Sequence, residues 1–200
     1  MTPPSTQPGL HLVLPLLGTA ADVWTQPAHA LDAWDGGGAT LATDVRLAVA
    51  GGRLIAAFRC AHGSLHADPS LPRDRGVDGL WQRDVVELFV ATESEAGGYT
   101  EFEASPCGQW LALRFSAPRQ RRIGLATPRP EVAVQLGAHE HRVLLSVALA
   151  ELPFRCARGR LGLFRIHGRE PARGYLALTP NGSARPDFHR PASWASFEIA

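Results

Sequence analysis

From Asp44 onward apolar residues recur with a period of two, the spacing that sends alternate side chains to opposite faces of an extended strand. The clearest unit covers residues 44–61, where VRLAVA and RLIAAFRCA flank Gly51-Gly52. That dipeptide supplies the positive φ angles of a two-residue hairpin turn. The same alternation predicts strands at 84–91, 99–105, 109–115, 131–136, 142–148, 162–167, 175–178 and 194–199. The apolar run 10–17 reads as the first strand. Helical signals are confined to 20–31, interrupted by Pro27, and to a turn at 148–152 before Pro153. About ten strands with at most short helices predict an all-β fold, a jelly-roll-like β-sandwich. Residues 61–78 and 117–130 carry Pro, Asp, Arg and His without periodicity and are predicted loops, where binding residues often sit.

Composition narrows the class. The 200 residues show no repeat or low-complexity linker, so residues 1–200 are expected to form a single domain. With 45% hydrophobic and 20% charged residues and a mean hydropathy of −0.07, the chain is neither disordered nor membranous. No apolar stretch approaches the roughly 18 residues of a membrane span. All 20 basic residues are arginine, but 19 acids interleave with them and the net charge is +1, which leaves no electrostatic footprint for nucleic acid. Cys60, Cys107 and Cys156 are odd in number and form no CxxC pair, against a disulfide scaffold or a zinc ribbon. The N-terminus has no basic residue before its apolar run and prolines on both sides of it, so a cytoplasmic location is expected.

Candidate chemistry begins in the strand DVVELFVA. Its alternation puts Glu87 in an otherwise apolar row with Val85 and Phe89, and a carboxylate there needs an arginine, a hydrogen-bonding ligand or a cleft. A structural ion pair would also account for it. In the next hairpin, a turn centred on Pro106-Cys107 would set Phe102 opposite Leu111, Glu103 opposite Trp110 and Tyr99 opposite Arg114. The resulting row of Tyr99, Glu101, Glu103, Trp110 and Arg114 combines flat rings with hydrogen-bonding groups, as sugar recognition requires; a solvated outer face would look the same. A bulge at Gly108 would shift this register by one residue and scatter the row. The carboxylates Glu87, Glu101 and Glu103 also admit a glycoside-hydrolase reading, although period-two acids on a strand are commonly solvated. The basic run Arg119, Arg121 and Arg122 could clamp an anion or be a solvated loop. The histidine pairs His62/His66 and His139/His141 have no zinc spacing, and there is no GxSxG elbow, phosphate loop or dinucleotide fingerprint. The only methionine is Met1, which argues against Met–His ligation of haem and leaves a His–His site formally open.

Three blocks carry a family resemblance: DGLWQRDVVELFV at 78–90, GYTEFEASPCGQWLALRF at 98–115 and RPDFHRPASWASFEI at 185–199. Together they resemble DOMON-like domains related to type 9 carbohydrate-binding modules. The resemblance implies a β-sandwich that clamps a terminal sugar between two tryptophans, with carboxylate and guanidinium groups on its hydroxyls. Trp81 and Glu87 match the tryptophan and acid of the first block, and Trp194 is the candidate second ring. Arg83, Arg114, Tyr99 and Glu103 are the candidate polar partners. The family also implies structural calcium, for which no acidic DxDxD cluster is present; no other cofactor is expected. The reading is thus a non-catalytic domain for a carbohydrate or similar polyhydroxylated ligand, without nucleic acid or membrane as partner. The alternatives are a haem-binding or redox DOMON-type domain and a sandwich that holds a protein partner.

Overall fold

In a computed structural model of the chain, residues 9–34, 41–93, 98–152 and 157–200 are described. Their strands are β1 (His11–Leu14), β2 (Leu16–Leu17), β3 (His29–Ala30), β4 (Asp32–Ala33), β5 (Thr43–Ala50), β6 (Arg53–Ala61), β7 (Val85–Ala91) and β8 (Tyr99–Ala104). They continue as β9 (Trp110–Ala117), β10 (Gln120–Arg121), β11 (Glu131–Leu136), β12 (Glu140–Ala148), β13 (Arg158–His167), β14 (Gly174–Ala177) and β15 (Ala195–Ile199). The expected all-β class is observed, and the helical pieces among the described residues are single 3₁₀ segments such as Ala20–Thr25 and Leu80–Gln82. The excess over the expected strand number comes from two-residue strands, whose alternation is too short to read in a sequence. Cys156 lies outside the described residues.

The strands form two sheets. One runs β1-β15-β13-β7-β8-β9-β10, with β14 on β13 and β4 on β14; the other runs β11-β12-β6-β5-β2, with β3 on β5. The β5–β6 turn has the predicted form: Gly51 and Gly52 have φ of +55° and +71°, which only glycine adopts without strain. The N-terminal run serves both sheets, β1 lying parallel to β15 and β2 parallel to β5, with Pro15 at the crossing.

Between the sheets lies the main core. Val86, Leu88 and Val90 of β7, Phe102 of β8 and Leu161 and Leu163 of β13 pack with Leu54 and Phe58 of β6 and Val143 and Leu145 of β12. Arg165 is buried at one end of this layer, 1% exposed, where it donates to the Thr43 hydroxyl at 2.6 Å and the Ala61 carbonyl at 2.8 Å. These bonds satisfy part of a guanidinium that would otherwise be costly to enclose, and they tie β13 to the opposite sheet. Every residue of β7 and β8 is buried, so the large sheet is covered on its outer face as well. That cover is a second apolar cluster in which Leu80, Phe188 and Trp194 sit over Phe89, Tyr99, Leu113 and Phe164. The site described next lies under and between these covering loops.

Candidate functional site

Alternation along β7 puts Val85, Glu87 and Phe89 on the outer face, and the ladder fixes what lies beside them. Glu87 pairs across β7–β8 with Glu103, and Phe89 with Glu101. On the far side Glu101 pairs with Leu113 and Glu103 with Leu111, while Phe164 of β13 flanks Glu87. Directly opposed residues have Cβ atoms about 4.5–5.5 Å apart, so Glu87, Glu101 and Glu103 form one cluster. They are 2%, 5% and 0% exposed.

This cluster floors a cavity of about 390 Å³ on the outer face of the large sheet. Glu87 and Glu101 reach the cavity, and Glu103 lies behind them, enclosed. Trp81, on the one-turn 3₁₀ segment Leu80–Gln82, and Tyr175 of β14 contribute rings to the walls. Phe188 and His189 come from the segment before β15, and Arg119 and Arg121 from the β9–β10 hairpin. Arg173 links two walls: it donates to the Trp81 carbonyl and stands over the Tyr175 ring, 5.6 Å from its centroid. Arg119 pairs with Asp187 at 2.8 Å and Arg121 with Asp78 at 2.9 Å.

Enclosure sets the electrostatics. Burial pushes all three carboxyl groups up, Glu101 to about 7 and the other two well above the usual range. For Glu87, Glu101 adds repulsion while Arg173 opposes the shift; for Glu103, both other carboxylates add repulsion. Among the described residues no N–H or hydroxyl donor reaches the enclosed oxygens of Glu103 or Oε2 of Glu101, and Glu103 and Glu101 are hydrogen-bonded to each other through a carboxyl proton. The floor is thus a set of acceptors and shared protons with unused hydrogen-bonding capacity. His189 is held down to about 4, mainly by burial and further by Arg119. Its Nδ1 is hydrogen-bonded to the Tyr99 hydroxyl at 2.7 Å, and that hydroxyl accepts from the Arg119 amide at 3.2 Å.

The structure brings only part of the predicted set together. Trp81 and Glu87 line the cavity, and Glu103 backs its floor. Tyr99, 2% exposed and stacked on Phe115 at 4.7 Å, stands on the same face of β8 outside the cavity lining and bonds the wall residue His189. Trp194 is not placed where a stacking ring has to be. It is 2% exposed, its Nε1 donates to the Phe188 carbonyl at 2.9 Å, and its ring lies over Gly162, where a Cβ would come within 3.0 Å of it. Arg83 stands outside the cavity lining and faces Asp68 at 4.0 Å.

The β8–β9 register also differs from the predicted one. Tyr99 faces Phe115, Glu103 faces Leu111 and Ala104 faces Trp110. The cause is the turn: Gly108 takes φ +83° and the Ser105 amide donates to the Gln109 carbonyl, so the loop holds one residue more than a turn centred on Pro106-Cys107. Trp110 and Arg114 consequently leave the carboxylate row. Trp110 packs beside Arg129, and Arg114 reaches the Glu151 carbonyl. Sequence reasoning missed Arg173, Tyr175, Phe188 and His189. The last two fall within the closing block of the resemblance, but Arg173 and Tyr175 have no local signal.

Calcium takes six to eight oxygen ligands. Among the described residues no group of three or more His, Cys, Asp or Glu is disposed to hold a metal ion, so the residues present do not fit the structural calcium of the resembled family.

No profile of a known protein family matches the sequence, and no curated protein matches it. Solved structures do. A Bacteroides uniformis protein whose carbohydrate binding is itself an inference superposes with a TM-score of 0.75 at 17% identity, over 96% of this chain and all of that one. A type 9 carbohydrate-binding module from Caldicellulosiruptor kristjanssonii, solved with cellotriose, gives 0.64 at 12% identity over 94% of this chain and 93% of that one. The same organism's module with glucose gives 0.64 at 12% identity, over 96% of each chain. The chain therefore has the β-sandwich fold of type 9 carbohydrate-binding modules.

Proposed function

We propose that this chain is a non-catalytic domain that binds a carbohydrate, or a ligand of similar polyhydroxylated chemistry, in the cavity over β7 and β8. The observation that carries the reading is the pairing of ring walls with a carboxyl floor: Trp81 and Tyr175 beside Glu87 and Glu101 in one space of sugar size. Ring faces pack against the CH-rich face of a pyranose, and carboxyl oxygens accept from its hydroxyls. The arginines at the rim add donors of fixed geometry. The solved structures of the same fold with cellotriose and glucose support the ligand class.

A thermal-shift panel of mono- and oligosaccharides tests the proposal. Ligand at 100 times its Kd stabilises by about 2.7 kcal/mol, which for a chain of this size is roughly 2 to 4 °C for each kcal/mol. A reproducible rise with one sugar class is the expected result. A flat response to every sugar would contradict the reading and shift weight to a protein ligand on the same face.

A further inference from the structure

The cavity floor holds more acceptor capacity than its surroundings fill. Glu101 is 5% exposed and lines the cavity; its Oε2 and both oxygens of Glu103 are enclosed behind it, with no donor among the described residues other than a proton shared between the two carboxyls. The arginines near this floor make their bonds elsewhere and act on the carboxyls only through space, Arg173 on Glu87 and Arg121 on Glu101. Arg119 is held by Asp187, Arg121 by Asp78, and Arg173 by the Trp81 carbonyl and the Tyr175 ring. His189 is neutral and bonded to Tyr99. Trp81 and Phe188 also line the cavity, and aromatic rings attract a cation electrostatically; the Tyr175 ring already does so with Arg173.

A neutral hydroxyl offers such a floor one donor and no charge. An ammonium group offers three donors and the positive charge that clustered carboxylates lack. We propose that the ligand carries a protonated amine, as an amino sugar does, and that the ammonium sits on Glu87 and Glu101 with Glu103 behind them. This inference rests on the binding-domain reading above and specifies its ligand class.

The floor also links binding to protons. In the empty site burial favours the protonated carboxyls. An arriving ammonium favours the carboxylates, so protons leave as it binds; a neutral sugar displaces none. Preference for the amine shrinks as pH falls through about 7, where Glu101 takes up its proton.

Calorimetric titration of the full chain with glucosamine, N-acetylglucosamine and glucose at neutral pH, repeated in buffers of different ionisation enthalpy, tests this. Glucosamine is expected to bind about tenfold or more tighter than either neutral sugar, with net proton release. Glu101→Gln is expected to bring glucosamine and glucose to within about twofold of each other. Glucose binding as tightly as glucosamine in the unsubstituted chain would overturn the amine inference and leave the carbohydrate reading standing; so would glucosamine binding without proton release. Failure of all three sugars to bind would overturn both. Glu87→Gln gives the same comparison should Glu101→Gln fail to fold.

Discussion

On the inner face of β7 and β8, Val86, Leu88, Val90 and Phe102 are at most 1% exposed and pack in the apolar core between the sheets. One residue along, on the outer face, Glu87, Glu101 and Glu103 are enclosed almost as fully, yet they meet rings, one another and a cavity. Equal burial thus has opposite consequences. Enclosing the apolar row contributes roughly 25 cal/mol for each Å² removed from water. Enclosing the carboxyls costs free energy until a proton or a ligand satisfies them. The inner face holds the sheets together, and the outer face keeps a site whose polar demands the fold leaves unmet.

The largest effect that would break this contrast is on the inner face. Phe102→Ala is expected to lower stability by about 3–5 kcal/mol, read from urea denaturation; a loss below about 1 kcal/mol would remove the distinction between the faces. The two tryptophans sharpen it next. Trp81→Ala should weaken sugar binding by about 2 kcal/mol or more while the denaturation midpoint barely moves. Trp194→Ala, in contrast, should destabilise the chain by about 3 kcal/mol. Equal effects of the two on stability would mean that Trp81 is a core ring.

A smaller effect of opposite sign is expected at Glu103, whose oxygens find no N–H or hydroxyl donor among the described residues. Glu103→Leu should raise stability above neutral pH by about 1 kcal/mol, because an apolar side chain removes an unmet polar demand. A loss comparable to that of Phe102→Ala would show that the carboxyl holds the sheet together.

The pH profile separates the faces in another way. Glu101 has a folded value of about 7 against the ordinary 4.5. Its contribution to stability is intact at and below pH 4.5 and is lost as pH rises through 7. His141 and His189, buried to about 3 and about 4, act the other way: their contribution is intact above 6.5 and is lost as pH falls toward those values. Glu101→Gln should therefore flatten the alkaline limb of a Tm-against-pH curve and leave the acid limb in place. Superimposable curves for the two chains would contradict this assignment.

The strands were legible because period-two alternation is a local property, and Gly51-Gly52 announced its own turn. Glu87 was legible too, as a carboxylate in an apolar row. The register of β8 against β9 was not, because it depends on whether Gly108 takes a positive φ, and that one residue moves Trp110 and Arg114 away from the row. Trp81 and Trp194 look alike in sequence. What separates them is tertiary: one stands on a short turn at a cavity wall, and the other lies over Gly162 and donates to the Phe188 carbonyl. Arg173 and Tyr175 enter the site through the pairing of β14 with β13, a long-range contact that no local pattern encodes.

On the proposed reading the ligand sits on the outer face of the large sheet, over Glu87 and Glu101. A crystal structure of the chain soaked with glucose tests it most directly. The predicted result is sugar density in the cavity, with a ring face against Trp81 or Tyr175 and hydroxyls on the two carboxyl groups. Density elsewhere, such as in the cleft beside Trp110 and Arg129, with the cavity over β7 and β8 free of sugar, would contradict the account.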